Sequence, residues 1–436
     1  MVSVETILRW ILYLTIFTGF FGSTLEVYRF NNFSIFAFRI FLILLIYIFV
    51  IFLFQSGKLN LKNINVKNYM LFFVFWLLYA SISISWAVSV NDAIREIFFL
   101  FSGVALIILM VMLLNDKKSI YSVYYIWLLV VLISLIVAIW EISTGDHLFS
   151  SKLYGETRQH VMYNPTSLFY NQNDFATFLT LSFPLVLMSF VFFKKKVLKI
   201  IGLLMALILI YVLIETGSRA NLLALVLQFF VYIFLFTSLS MKLKLVIVSP
   251  FIVSLLIYLE PAFIYIPVEI VEQIKSVYED AFLDGGSIVI RLNLIKSGIY
   301  HAISSWGIGV GAANIETYIA NYDLFYTGNV TNVHNWWVEL LSNYGVIILL
   351  GYIILYFNIL KKLYIYYVQN FDVKMKLLCK AIFIGLIGFI IGSTSPSSLM
   401  THTYKWVYFG LSITLLNYLA TKEKSDVSIN SWTHHG

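Results

Sequence analysis

Apolar residues in this chain come in long runs separated by short polar stretches. The runs fall near 8–22, 35–54, 69–88, 97–114, 120–141, 173–193, 199–214, 220–239, 245–259, 336–359, 378–396 and 404–420. A helix needs about 20 apolar residues to cross a bilayer. Backbone in lipid must bond to itself, so all twelve runs are predicted to be helices. The first, seventh and ninth are short, as tilted or re-entrant segments would be. No small-residue cleavage site follows the first run, which is therefore expected to be retained as a span.

Two connections stand out by length. Residues 142–172 form a medium loop and residues 260–334 a large one, and long loops are disproportionately functional. Within the large loop, Pro261 and Pro267 break the exit from the ninth run. The stretch 268–282 has apolar residues at helical spacing and predicts an interfacial helix, and a second helix is predicted over 288–303. The polar tail after Leu419, residues 421–436, is expected to be disordered; His434 and His435 there read as part of a floppy terminus. Residues 1–436 thus read as one all-α polytopic membrane domain.

Composition agrees. Of 436 residues, 61% are hydrophobic and 12% charged, against about 25% charged in soluble domains. A water-soluble globule is excluded. Cys379 is the single cysteine, which rules out an intrachain disulfide, and its apolar run marks it as inert. The net charge of +7 is not a nucleic-acid footprint, because lysines explain it. With the N-terminus inside, each inner segment is basic: Arg9; Lys58, Lys62 and Lys67; Lys117 and Lys118; Lys194, Lys195, Lys196 and Lys199; Lys242 and Lys244; Lys361, Lys362, Lys374, Lys376 and Lys380; Lys422 and Lys424. This is the positive-inside pattern of a membrane protein with both termini cytoplasmic. It leaves one fact unexplained: apart from Arg9, the arginines (Arg29, Arg39, Arg95, Arg158, Arg219 and Arg291) all fall on the outer half. A guanidinium fork suits phosphate and carboxylate oxygens in a way an ammonium does not, so the outer face is a candidate anion site.

Three motifs on that face carry chemistry. Glu215-Thr216-Gly217-Ser218-Arg219 opens the eighth run at its outer end. Thr216 and Ser218 are capping residues, and a helix N-terminus beside a guanidinium can hold an anion. Arg291 lies on a predicted helix with one apolar face, ahead of Gly307-Ile-Gly309-Val-Gly311-Ala-Ala-Asn314. That glycine run has the wrong spacing and context for a dinucleotide loop and suits close backbone approach or a bent segment. His334-Asn335-Trp336-Trp337 opens the tenth run. A helix N-terminus there favours a neutral imidazole, which can accept a proton; the tryptophans fit an interface belt or could stack on sugar rings. On residue types alone, each motif also has a plain structural explanation: an interfacial turn, an exposed loop charge and a helix cap. Arg158 and Tyr170-Asn171-Gln172-Asn173-Asp174 are weaker outer features. His147, His160, His301 and His402 show no metal-ligand spacing.

Together these pieces resemble the O-antigen ligase and polysaccharide polymerase family (the Wzy type) over roughly residues 165–355. The matching residues are Phe169-Tyr-Asn171-Gln-Asn173-Asp-Phe-Ala176, Thr216-Gly-Ser-Arg219, Arg291 ahead of the glycine run, and His334-Asn335 followed by Glu339 and Gly345. The resemblance implies a metal-independent, inverting glycosyltransferase with no cofactor, acting outside the membrane. It implies an undecaprenyl-diphosphate-linked oligosaccharide as donor and a glycan or lipid–glycan as acceptor, with room for a chain-length regulator. It makes His334 the base for the acceptor hydroxyl and Arg219 and Arg291 the diphosphate clamp. Arg158, Asn173 and Asn335 are further candidate substrate contacts. A chain rich in Ile, Phe, Tyr, Asn and Lys leans towards a Gram-positive capsule, exopolysaccharide or teichuronic-type polymerase over a ligase acting on lipid A–core. A lipid-linked oligosaccharide flippase and a scaffold of the assembly complex are the rival classes. Transporters often show two similar halves and midplane charges, and this chain shows neither.

Overall fold

The computed structural model describes residues 3–30, 33–56, 64–159, 161–244, 247, 287–322, 324–369 and 372–433. The described chain is almost wholly helical: α1 (Val4–Gly19), α2 (Ala37–Ser56), α3 (Lys67–Ser83), α4 (Val90–Leu113), α5 (Lys117–Thr144), α6 (Gln172–Phe192), α7 (Lys196–Glu215), α8 (Arg219–Phe236), α9 (Ser287–Ser304), α10 (Ile315–Asn321), α11 (Trp336–Val368), α12 (Val373–Gly392) and α13 (Thr403–Thr433). Nine of the described helices are long and apolar enough to cross a membrane. With the shorter α1 and the more polar α13, they occupy eleven of the twelve expected runs. The ninth run, 245–259, and the expected helix 268–282 lie outside the described residues. Helix α9 matches the helix predicted over 288–303.

The ends of the helices sort as alternating crossings require. At one end Arg9 pairs with Asp116 (2.7 Å) and Lys117 with Asp372 (3.2 Å), joining three of the basic inner segments. At the other end the connections before α4, α6, α8, α11 and α13 meet. There Asn314 accepts the backbone N–H of Ser89 (2.6 Å), and Trp86 Nε1 donates to the Gly309 carbonyl (3.1 Å).

Helix α6 sits at the centre, packed on α7 and α12. It contains Pro184, which has no N–H to give the carbonyl of Thr180, four residues back. Gln228 on α8 supplies the missing donor: its Nε2 reaches that carbonyl at 2.9 Å, across a gap that Gly388 leaves open for the amide. Removing the amide leaves a buried carbonyl unpaired, which costs about 1–3 kcal/mol. Gln228→Ala is therefore expected to lower the melting temperature of the detergent-solubilised protein. An unchanged melt would show that this carbonyl needs no partner.

Helix α11 is broken at Gly345, where φ is 77° and ψ −177°. The chain 307–311 runs alongside the break as a short ribbon. Val310 and Gly311 donate to the carbonyls of Ser342 and Asn343 (2.8 and 3.0 Å), and Val346 donates to Gly307 (2.8 Å). A Cβ at Gly309 would stand 2.6 Å from the Asn343 carbonyl oxygen, and one at Gly345 would collide with Gly307 and Ile308. Close backbone approach is what the glycine run predicts, and it fixes the large loop onto α11.

Three features depart from the sequence expectation. A two-stranded antiparallel hairpin, β1 (Glu26–Phe30) and β2 (Phe33–Phe36), links α1 to α2. The expected disordered tail instead continues α13 to Thr433. Its first turns are tied down: Tyr366 donates to Glu423 (3.2 Å) and Lys424 to Asn65 (2.5 Å). Trp336 is not an interface residue. It is 1% exposed and packs against Trp76, Tyr352 and Lys405.

Candidate functional site

Arg219, Arg291 and His334 stand on three separate elements, near enough that the charge of Arg219 acts on Arg291 and that of Arg291 on His334. Arg219 is the first residue of α8 and is exposed. Its N-cap Ser218 does not cap the helix as its type predicts. The Ser218 hydroxyl is instead 3.1 Å from that of Ser395 and accepts from Asn221 Nδ2 (3.0 Å). Arg291, in the second turn of α9, keeps an exposed side chain, yet enough protein surrounds it to perturb the guanidinium. Partial desolvation first, and the like charge of Arg219 second, push Arg291 below the ordinary arginine value. Among the described residues neither arginine has a carboxylate ion pair.

His334 stands two residues before α11 in the left-handed region, with φ 50°. Histidine, asparagine and aspartate tolerate that region better than most residues. The backbone there is held from both sides. The His334 N–H donates to Asn332 Oδ1 (2.9 Å), and Asn332 Nδ2 donates to Glu316 (2.6 Å). Two residues on, the Trp336 N–H donates to the carbonyl of Ser393 (3.1 Å). The ring is half-buried, and its Nδ1 has no hydrogen-bond partner among the described residues. Its pKa is pushed below 6.5, chiefly by desolvation and then by the charge of Arg291; backbone groups of Pro396 and Ser395 and the charge of Asp174 oppose the shift only partly. Near neutral pH the imidazole is therefore uncharged and able to accept a proton.

The other expected contacts divide. Asn335 is the N-cap of α11, its amide oxygen accepting from the N–H groups of Trp337 and Val338 (3.1 and 3.2 Å). Asn173 lies in the first turn of α6, its N–H capped by Asn171 (2.9 Å), beside Asp174. Arg158 is not brought to the cluster. Its fork is taken by Glu156, Nε to Oε1 at 3.0 Å and Nη2 to Oε2 at 2.6 Å, on the surface of the 142–172 loop.

Beside Asn332 and Val333 lies a cavity of about 30 Å³ also lined by Glu96, Glu316, Glu339, Asn343 and Ser398, room for about one water. Lys405 is buried nearby with Nζ 3.6 Å from the ring centroid of Trp336, close enough to Glu339 and Glu96 to offset their charge.

The O-antigen ligase family model matches residues 204–353, a span that contains Arg219, Arg291 and His334. The chain is 33% identical over 369 residues to the teichuronic acid biosynthesis protein TuaE of Bacillus subtilis (strain 168), covering 82% of this chain and 73% of that protein. The chain belongs to the O-antigen ligase and polysaccharide polymerase family. It is a member with several supporting residues beyond the matched span. Asp174 is 1% exposed. It accepts from Asn171 Nδ2 (2.7 Å) and from the backbone N–H of Ser397 (3.3 Å), and it lies 3.3 Å from His402 Nε2. Glu141 is wholly buried and accepts from the N–H groups of Thr166 and Ser167 (2.8 and 2.6 Å) and from His147 (3.1 Å), tying down the 142–172 loop. No spacing in the sequence announces these pairs, because the partners lie on different elements. The one legible hint is an acidic residue at or near the outer end of an apolar run, at Glu96, Glu141 and Glu339, since a carboxylate beside lipid needs a partner.

Proposed function

We propose that this family member is a membrane glycosyltransferase that extends a polysaccharide from undecaprenyl-diphosphate-linked repeat units on the extracytoplasmic face. The observation that carries this reading is the arginine pair. Two guanidiniums held together with no carboxylate among the described residues repel one another, and an anionic ligand relieves that repulsion. A diphosphate presents oxygens that two forks can grip bidentately. The lysine-rich end, by the positive-inside pattern, is the cytoplasmic one, which puts the arginines and His334 outside.

The reaction this geometry suits is a single displacement. His334 takes the proton of an acceptor hydroxyl as its oxygen bonds to the anomeric carbon. The bond from that carbon to the diphosphate oxygen breaks on the opposite face, which inverts the centre. The electron pair leaves with the diphosphate, where Arg219 and Arg291 stabilise it, and His334 then passes its proton to water. Fixed cations are worth most where charge develops, and here they do the work often given to a divalent metal. Asn173 and Asn335 line the approach; Arg158 would join only by giving up Glu156. The Bacillus subtilis relative, named for teichuronic acid biosynthesis, supports a polymer of that type over ligation to lipid A–core.

The test is a proteoliposome assay with lipid-linked oligosaccharide extracted from the producing strain after deletion of this gene. Longer lipid-linked products are expected. Movement across the bilayer without bond formation would make the protein a flippase, and no change at all would leave it a scaffold. The pH profile follows from the ring. A base whose pKa is held below 6.5 stays neutral as pH falls past 6.5, so transfer should decline only at lower pH.

A further inference from the structure

Helix α9 and the turn after it descend along α11. Gly298 packs on Val338, and the Gly307 carbonyl accepts from Val346 (2.8 Å). The turn therefore reaches the break at Gly345, about 14 Å along α11 from Trp336. On α3 the Tyr79 hydroxyl donates to the Ile308 carbonyl (2.6 Å), one turn before that helix ends at Ser83. Both α3 and α11 are long and apolar enough to cross a membrane, so the turn lies inward of the ends of two spans.

The exposed side chains of α9 change character on the way down. Arg291 and Lys296 come first, and Ile299, Tyr300, Ile303, Trp306 and Ile308 follow. Across the Gly307–Val346 bond, this apolar surface continues into the exposed Val346, Ile347 and Leu350 of α11. Trp306 is 95% exposed, with φ 55°. Its N–H donates to the Ile303 carbonyl and that of Gly307 to the Ala302 carbonyl (both 2.9 Å), a helix stop at which glycine is usual. Tryptophan carries steric strain there, and almost no contact with the described protein offsets it. The backbone gives a second, independent sign. Every N–H from Ser305 to Ala312 is donated within the protein, and the carbonyls of Gly307, Ile308 and Gly309 accept from Val346, Tyr79 and Trp86. Non-helical backbone at membrane depth has to be satisfied in this way, whereas water would serve an exposed loop.

We propose that the turn after α9 is a lipid-contact site. Residues 299–308 enter the rim of the bilayer alongside α3 and α11, at the end of the bundle remote from the lysines, and Trp306 sits among the lipid headgroups. Tryptophan and tyrosine favour that zone. The large loop is then seated in the membrane at its middle, with Arg291 above the lipid on the same helix.

Cys379 is the single cysteine and is buried, so a nitroxide label goes to an introduced thiol. The full chain would carry Ile303→Cys in phosphatidylcholine vesicles. Collisions are measured with oxygen, which concentrates in lipid, and with a nickel chelate confined to water. Ile347→Cys on α11 is the lipid reference, and Thr157→Cys, beside the Glu156–Arg158 pair, is the water reference. The label at 303 should favour oxygen as at 347, with the preference reversed at 157. A label at 303 that behaves as at 157 would overturn the proposal. So would one shielded from both reagents, which would mean that a protein partner or a second copy covers the turn. The second measurement leaves Ile303 intact. Trp306→Phe should remove emission that phosphatidylcholine brominated near the top of its chains quenches and that aqueous iodide spares. Loss of iodide-quenched emission instead would place Trp306 in water and overturn the proposal. Neither readout needs substrate, so both decide the lipid contact whether or not the glycosyltransferase reading holds.

Discussion

His334→Asn is expected to abolish measurable transfer, with kcat reduced by about 10²–10⁴-fold, the usual contribution of a positioned base, while binding of the lipid-linked donor stays within a few-fold. Asparagine is the better test than alanine because the backbone at His334 is left-handed, at φ 50°. Asparagine accepts that conformation readily, whereas alanine adds backbone strain of about 1 kcal/mol. His334→Ala should lose transfer as well, with some loss of stability. The measurement is single-turnover transfer in proteoliposomes beside a donor-binding isotherm. Near wild-type turnover in His334→Asn would remove the residue from the chemistry and leave it a structural role at the turn before α11.

Arg219→Lys and Arg291→Lys should each lower kcat by about 10²-fold or more, near the about 10²–10³-fold lost when one preorganised oxyanion donor is removed, with membrane insertion unaffected. A point charge does not replace a bidentate fork. Arg291 offers a second, sign-specific readout. Its charge lowers the His334 pKa, so Arg291→Gln should raise it and move the acid limb to higher pH. In Arg291→Lys the charge remains, the limb stays in place and only the amplitude falls. Wild-type polymer length in a strain carrying Arg291→Lys would count against the clamp.

The helical bundle was legible because hydrophobic runs in a membrane chain have to become helices; eleven of the twelve runs coincide with described helices. The candidate site residues stood out for a related reason. Arg219 and His334 carry a charge or a titratable ring at the polar end of an apolar run, and Arg291 a charge on a helix with one apolar face in the large loop, where composition alone makes them conspicuous. The residues that hold them in place did not. Ser395, Ser397 and Ser398 are small and polar, and a serine in a loop advertises nothing until its partner is known. Asp174 read only as part of a weak outer feature, whereas its carboxylate accepts both from Asn171 beside it and from Ser397 in the connection from α12 to α13. Trp336 and Trp337 read as interface residues because tryptophan is common there; burial against Trp76 and Tyr352 is a tertiary fact that no local pattern carries. The hairpin 26–36 was hidden for the opposite reason, since its apolar residues merge into the runs on either side.

The clasp between α12 and α13 has a consequence for biogenesis. Arg219, Arg291 and His334 all precede residue 335, so a nascent chain halted before α12 would already hold every reactive group. It would lack the Ser393 carbonyl that fixes the turn at Trp336 and the Ser395 contact to the start of α8. On the proposed function, a competent site would then form only once the final helices are made, and an unfinished polypeptide in the translocon would spare the pool of carrier lipid.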